Sequence, residues 1–473
     1  MARGTWSETN MPKAPGFYNR MKQIAQETSN NIQGVLALPV KSNWGPVKTV
    51  TSIKNLKQLK STFGDSMNFT AYKLGRLALL GSPKEIMLYR LVDSSAATGK
   101  LSLQNSESIP ANVITLETLY PSDRVFKISV QSNIVNASNK DIILYEETKQ
   151  LAKCENISGS LEDIVTLINK SAIGEYVVAK LVSGATGTLA NISTAAFTGG
   201  NNGTTNITNA EYTDAMTTFK SYNIDAFALD GVKDPALITT VHEWAKECAI
   251  EGLDVLVFAS TGETTLTAAN TKSKEYNSTL MHNGYATTLT YDGVAYTIEE
   301  VMVYIAALAV GKNLKESICN EVTIFEDVQP RLNKSEIESA LEAGTIVFTI
   351  SNGKVVIVDD VNTYKNYDNE EEEVLGNIRA IRFINTVNKS TSLKGEEEYT
   401  GKISNDDTGH TIILCGMKTF FDEWKKLGII SGYNAVTDDE LMKDAKVNQY
   451  FWKWDANYVD VAKQIFGTGN LIG

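Results

Sequence analysis

Three side chains able to form a nucleophilic triad, Asp230, His242 and Ser260, occur in the Asp, His, Ser order of subtilisin-type proteases. That chemistry needs the imidazole within hydrogen-bond reach of the hydroxyl and oriented by the acid. The sequence contexts argue against it. His242 falls inside VHEWAKE, with helical spacing, and reads as a solvated helix histidine; Ser260 falls in FASTGE with no nucleophile motif around it. His282 follows a polar linker. His410 lies in NDDTGHT beside Asp406 and Asp407, where a turn rich in Asx backbone hydrogen bonds is preferred over a cation site. Cys154, Cys248, Cys319 and Cys415 form no CxxC pair, so free and mostly buried thiols are expected rather than zinc ligands or a disulfide framework. CGMKT lacks the upstream glycine and the GKT or GKS ending of a phosphate loop. The expectation is a protein with no catalytic, cofactor-binding or metal residues, and not an enzyme.

Charge points to a different kind of chemistry. Residues 1–92 hold 13 Lys and Arg against 4 Asp and Glu, in a chain whose net charge is -12. One end is therefore suited to an acidic surface, including that of another copy of itself. Lys41, Lys48, Lys54, Lys57 and Lys60 could follow a phosphate backbone, but without arginine clusters or an aromatic platform, and with a pI near 5.0, nucleic acid is not an expected partner. Near the other end Lys418, Lys425 and Lys426 recur at i, i+7 and i+8, with Phe420, Phe421 and Trp424 available to anchor a helix inward.

The elements that position these groups follow from periodicity. At 473 residues, 42% hydrophobic and 21% charged, the chain suits about three globular domains. Its longest apolar run, residues 301–310 (VMVYIAALAV), is half a bilayer span and reads as a buried helix. MARGTWSETN has no apolar signal-peptide core, which predicts folding in a cytoplasm and release by lysis. Residues 1–30, punctuated by Gly4, Pro12, Pro15 and Gly16, read as an arm, and 31–92 as the N-terminal part of an α+β core domain. From 93 to 195 the period becomes two, in VITLETLY, VFKISVQS and YVVAKLV, which predicts an inserted β-sandwich bounded by the polar linkers DSSAATG and FTGGNNGTTN. Few contacts are expected to cross those linkers. Helix and strand alternate over 204–352, predicting an α/β domain with a largely parallel sheet. Residues 353–455 return to α+β, with a helix opened by the acidic run at 370–373, a strand at TIILCG and a helix over 417–427; 456–473 read as a second arm.

Several blocks carry a resemblance. The opening through GVLALPVKSNWGPVKTVTS, the stretch VQPRLNKSEIESALEAGTIVFTISNGKVVIVDDVNTY, and RAIRFINTVNKS followed by EEYTGKISNDDTGHTIILCGMKTFFDEWKKLGII resemble, in this order, the sheath proteins of contractile phage tails and phage-tail-like bacteriocins. The resemblance implies a subtilisin-like α/β layer without a catalytic triad, an inserted β-sandwich, an α+β C-terminal domain next to the tube, and extended N- and C-terminal arms. It implies a structural subunit that polymerises around a tail tube and contracts to drive the tube through a cell envelope. Its partners would be itself, in six-fold stacked rings, the tube protein, and baseplate and terminator proteins, with no cofactor, membrane insertion or direct nucleic acid contact. Strand addition to neighbours would fall to Phe17, Asn19 and Met21 in the first arm and Val459, Val461 and Ile465 in the second, and the tube would face Lys418, Lys425 and Lys426. An adhesin or receptor-binding module is the alternative that the sandwich and its Thr/Asn-rich loops allow.

Overall fold

The computed structural model describes residues 2–4, 16–18, 34–367 and 370–471, in two units, 1–32 and 33–473. In the first, β1 (Ala2–Gly4) pairs in parallel with β2 (Gly16–Tyr18), Arg3 opposite Phe17. Asn19 and Met21 lie outside the described residues.

The second unit opens with β3 (Val35–Val40), β4 (Val50–Ile53), α1 (Leu56–Phe63), α2 (Thr70–Leu80) and β5 (Glu85–Arg90). The helical reading of 56–81 thus splits in two, because Gly64, at φ 81, ends α1. Beyond the insertion follow α4 (Asn209–Phe219), β13 (Ala226–Ala228), α5 (Pro235–Ile250), β14 (Leu256–Phe258), α6 (Leu266–Tyr276) and β15 (Met281–Gly284). The chain continues through β16 (Thr288–Tyr291), β17 (Val294–Tyr296), α7 (Ile298–Gly311), β18 (Asp327–Gln329), α8 (Lys334–Ala343), β19 (Thr345–Ile346), β20 (Phe348–Ser351) and β21 (Lys354–Ile357).

Seven of these strands form one sheet, β19-β15-β14-β13-β3-β5-β4, parallel except for β4. It draws on chain from both sides of the insertion. In the central strands both faces are apolar, as a covered parallel sheet requires. Leu36, Leu38, Ala226 and Phe258 pack with α2 and α7 on one face, while Val35, Ala37, Phe227 and Val257 pack with α4 and α5 on the other. α7 is buried along residues 301–310, as its composition predicts. α2 packs so closely on it that a Cβ at Gly81 would stand 2.6 Å from the Leu308 nitrogen.

The insertion is a two-sheet sandwich. β6 (Lys100–Gln104), β7 (Asn112–Thr118) and β11 (Val177–Leu181) make one sheet, and β8 (Phe126–Ser132), β9 (Lys140–Glu146), β10 (Lys149–Ile157) and β12 (Ile192–Ala196) make the other. Helix α3 (Leu161–Lys170), opened by a Ser160–Asp163 capping box, adds Ile164 and Ile168 to the core. Its attachment is firmer than its linkers suggest. Trp44, from the loop after β3, enters the sandwich core against Tyr120 and Phe126 at 5.2 and 5.5 Å. The buried Arg90, at the end of β5, donates to the carbonyls of Gly45, Pro121 and Asn202 at 2.8, 2.7 and 3.2 Å.

Within residues 33–473 a last, smaller unit follows the central α/β one: α9 (Ile378–Lys394), α10 (Asp407–Lys426), β22 (Ile430–Thr437), α11 (Asp439–Met442) and β23 (Trp452–Tyr458). Two expectations are corrected here. TIILCG is not a strand: it lies within α10, because the Asp406 carboxylate caps the helix by accepting from the Gly409 amide at 2.8 Å and Ile413, Met417, Phe421 and Trp424 continue one helical stripe. The helix expected from residue 370 is α9, which starts only at Ile378 after a 3-10 turn over Glu370–Gly376.

Candidate assembly interface

The triad residues each serve a separate network. Asp230 accepts from the Tyr212 hydroxyl at 2.6 Å and the Thr70 hydroxyl at 2.8 Å, and burial raises its pKa against the pull of Lys41 and those hydroxyls. Ser260 donates to the Gly284 carbonyl at 3.1 Å. His242 is buried, contrary to a solvated reading; its ring meets Tyr276 edge-on at 5.9 Å and burial lowers its pKa. His282 is a core residue of β15, stacked on Phe258 at 4.1 Å. His410 sits in the first turn of α10 rather than in a loop, stacked on Tyr450 at 4.2 Å. Among the described residues no group of three or more His, Cys, Asp or Glu is placed to hold a metal ion, and no helix is long and apolar enough to cross a membrane. The four thiols are free, but only Cys248 is buried; Cys154 and Cys319 are half-buried and Cys415 is exposed, where mostly buried thiols are expected from the sequence.

The features that stand out lie in the last unit. β22 and β23 form an antiparallel pair, Ala435 opposite Trp454, and no third strand joins them among the described residues. Both outer edges therefore present backbone donors and acceptors. One face packs on α10, where Phe421 meets Trp424 at 5.2 Å, Tyr433 at 5.1 Å and Trp454 at 5.3 Å. Residues 456–458, read as the start of an arm, complete β23.

Helix α9 holds this unit to the central one through its basic residues. Arg379 Nε donates to Leu314 O at 2.8 Å, Arg382 Nη2 to Lys312 O at 2.5 Å, and Lys389 pairs with Asp225 at 2.7 Å. Lys312 and Leu314 follow the C-terminus of α7, where cations are favoured by the helix dipole. Burial lowers the Arg382 pKa to about 10. Sequence reasoning missed these three; two arginines at i and i+3 in an otherwise apolar stretch were the available signal.

The chain then leaves the body. Val459 donates to Ile429 O at 2.9 Å and its carbonyl accepts from Arg379 at 2.8 Å. Asp460 meets Arg379 at 3.3 Å, Val461 is half-buried, and Lys463 Nζ lies 2.7 Å from Asp359, 2.5 Å from Asp360 and 2.8 Å from Asn377 Oδ1. Burial pulls the Lys463 pKa down, but the two carboxylates outweigh it and the net shift is upward. Residues 464–471 are open to solvent, Ile465 at 87% and Phe466 at 90%.

Lys425 and Lys426 are exposed in the last turn of α10 and Lys418 is half-buried. The same stretch carries Asp422, which accepts from the Tyr433 hydroxyl at 2.7 Å, so the face is not purely cationic. The basic N-terminal block is partly matched within the chain: Lys48 pairs with Asp214 at 3.6 Å, Lys73 with Glu300 at 2.5 Å and Arg76 with Asp292 at 3.2 Å.

Three family profiles match in succession: "phage tail sheath protein beta-sandwich domain" over residues 92–202, "phage tail sheath protein central domain" over 205–363 and "phage tail sheath C-terminal domain" over 370–472. The phage-like element PBSX protein XkdK of Bacillus subtilis (strain 168) is 21% identical over 98% of this chain and 99% of its own. The sheath tail protein of Desulfitobacterium hafniense superposes with a TM-score of 0.69 at 18% identity, over 94% of this chain and all of that one. The helical sheath of the anti-feeding prophage in its contracted state gives 0.52 at 11% identity, over 97% and 99% of the two chains.

Proposed function

The chain belongs to the phage tail sheath protein family, and on that premise we propose how its parts work in a sheath. It is a structural subunit that polymerises around a tail tube and contracts, and its partners in doing so are other copies of itself and the tube. The observation that carries the mechanical reading is the two-stranded β22–β23 sheet with open edges, followed by a segment whose residues 464–471 are exposed.

Strand addition needs only free backbone groups on the receiving edge and extended chain on the donor. The N-terminal arm, through Phe17, Asn19 and Met21, and the C-terminal segment, through Val459, Val461 and Ile465, supply strands to neighbouring subunits. Val459 and Val461 lie at the root of that segment and Ile465 in its free part. Such joints let subunits rotate without separating. The extended sheath is then a metastable lattice, and repacking into a more stable one releases the free energy that drives the tube, with no nucleotide consumed.

The finer assignments follow the same logic. The central α/β layer is subtilisin-like in fold, the sandwich lies on the outer surface, and α10 faces the tube through Lys418, Lys425 and Lys426. Baseplate and terminator proteins close the two ends, and the particle, phage or bacteriocin, assembles in a bacterial cytoplasm. Negative-stain microscopy of the purified full-length chain tests the reading: long sleeves or tubes are expected, and a small oligomer at all concentrations would favour an adhesin.

A further inference from the structure

The side chains of β23 alternate between half-buried and exposed; Val459 and Asp460 are both exposed, and Val461 and Lys463 are then half-buried on either side of exposed Ala462 before the pattern stops. Among the described residues no backbone hydrogen bond ties 460–463 to the body, so side chains hold this stretch. Two contacts do so. Asp460 meets Arg379, and Asn377 Nδ2 donates to it at 3.3 Å. Lys463, its side chain 19% exposed, reaches Asp359 and Asp360, the latter's side chain 1% exposed. These acids follow β21 in the region matched by the central-domain profile, whereas Lys463 lies in that of the C-terminal domain. An ion pair so shielded differs from a surface pair, because losing the lysine leaves a buried carboxylate uncompensated.

We infer that Lys463 is a clasp that fixes the root of the C-terminal segment to the central α/β unit and makes Gln464 its pivot. With Asp460 already held by Arg379, the clasp shortens the free part of the segment by residues 461–463, which restricts the volume it searches and raises its effective concentration at a second copy of this chain. That consequence rests on the strand-addition reading; the clasp itself is a property of the single subunit. It also links the direction in which the segment leaves the body to the placement of both domains.

Trypsin provides the test, since cleavage after Lys463 requires the lysine to leave its carboxylates. In the unassembled full-length chain, Asp359→Asn/Asp360→Asn should accelerate cleavage after Lys463 at least tenfold, while cleavage after Lys453, within β23, stays unchanged. Asp359→Asn alone, altering the more accessible acid, should give an intermediate rate and covers the case in which the double variant misfolds. A spin label at Gln464→Cys in a Cys415→Ser background should gain mobility when Lys463→Met is added. Equal cleavage rates after Lys463 in the wild type and Asp359→Asn, or a label equally mobile with and without Lys463, would overturn the clasp. Neither measurement involves polymerisation, so such a failure leaves the sheath reading standing.

Discussion

The Arg379 guanidinium donates to the Tyr458 hydroxyl at 2.7 Å while its centre lies 4.9 Å from that ring's centroid. The same side chain bonds Leu314 O, Val459 O and Asp460, so one buried cation joins the end of α7, helix α9 and the last strand. Arg379→Ala leaves the Leu314 and Val459 carbonyls without this donor and the Asp460 carboxylate without its cation. With hydrogen bonds to charged groups contributing about 1.5–3 kcal/mol each, a loss of about 3 kcal/mol in the stability of the last unit is expected. Hydrogen exchange of β22 and β23 amides should accelerate while the sandwich amides keep their rates.

Arg90 makes the corresponding joint at the sandwich. A lysine cannot reach three carbonyls from one planar fork, so Arg90→Lys should loosen the linkers at 93–99 and 198–206. Limited proteolysis should then cut there about tenfold faster. Unchanged cutting would mean that the joint does not depend on Arg90.

Burial lowers the His282 pKa to about 4, whereas an unfolded histidine titrates near about 6.5. The unfolded chain therefore binds the proton first, and this contribution to stability, full above about pH 6.5, is lost as pH falls towards about 4, to a total of about 3 kcal/mol. Asp230, whose pKa is raised by burial, works in the opposite direction as it takes up its proton and offsets part of the loss. His282→Asn keeps an amide donor for Val257 O and removes the titration. Its urea midpoint should fall less between pH 7 and pH 4.5 than that of the wild type; parallel curves would contradict the assignment.

The tube-facing reading of α10 predicts a selective defect. Converting Lys418, Lys425 and Lys426 together to glutamate should weaken sheath–tube association while sheath–sheath joints persist. Tubes decorated normally by the variant would assign these lysines to a solvated face.

Truncation separates arm from body. Removing residues 464–473 spares the Arg379 and Lys463 contacts, so the chain should melt like the wild type yet fail to form sleeves. Deletion from Tyr458 would damage β23 and report on folding instead. Sleeves of normal length from the shorter deletion would remove the segment from assembly.

The sequence alone determined the elements whose period is local and strong. Alternation in VITLETLY and VFKISVQS, and the apolar run at 301–310, could be read directly because burying one face or all faces leaves a repeating pattern. The order of three blocks along the chain carried the family. Tertiary structure decided the rest for two physical reasons. Short apolar runs such as TIILCG fit either period, and only the Asp406 cap and the packing of Phe421 and Trp424 made that run helical. Contacts between residues far apart in sequence leave no periodic trace: the joining of β3 and β13 in one sheet, Trp44 inside the sandwich, the burial of His242 and His282, and Lys463 between two aspartates a hundred residues away all depend on where the folded chain brings its parts together.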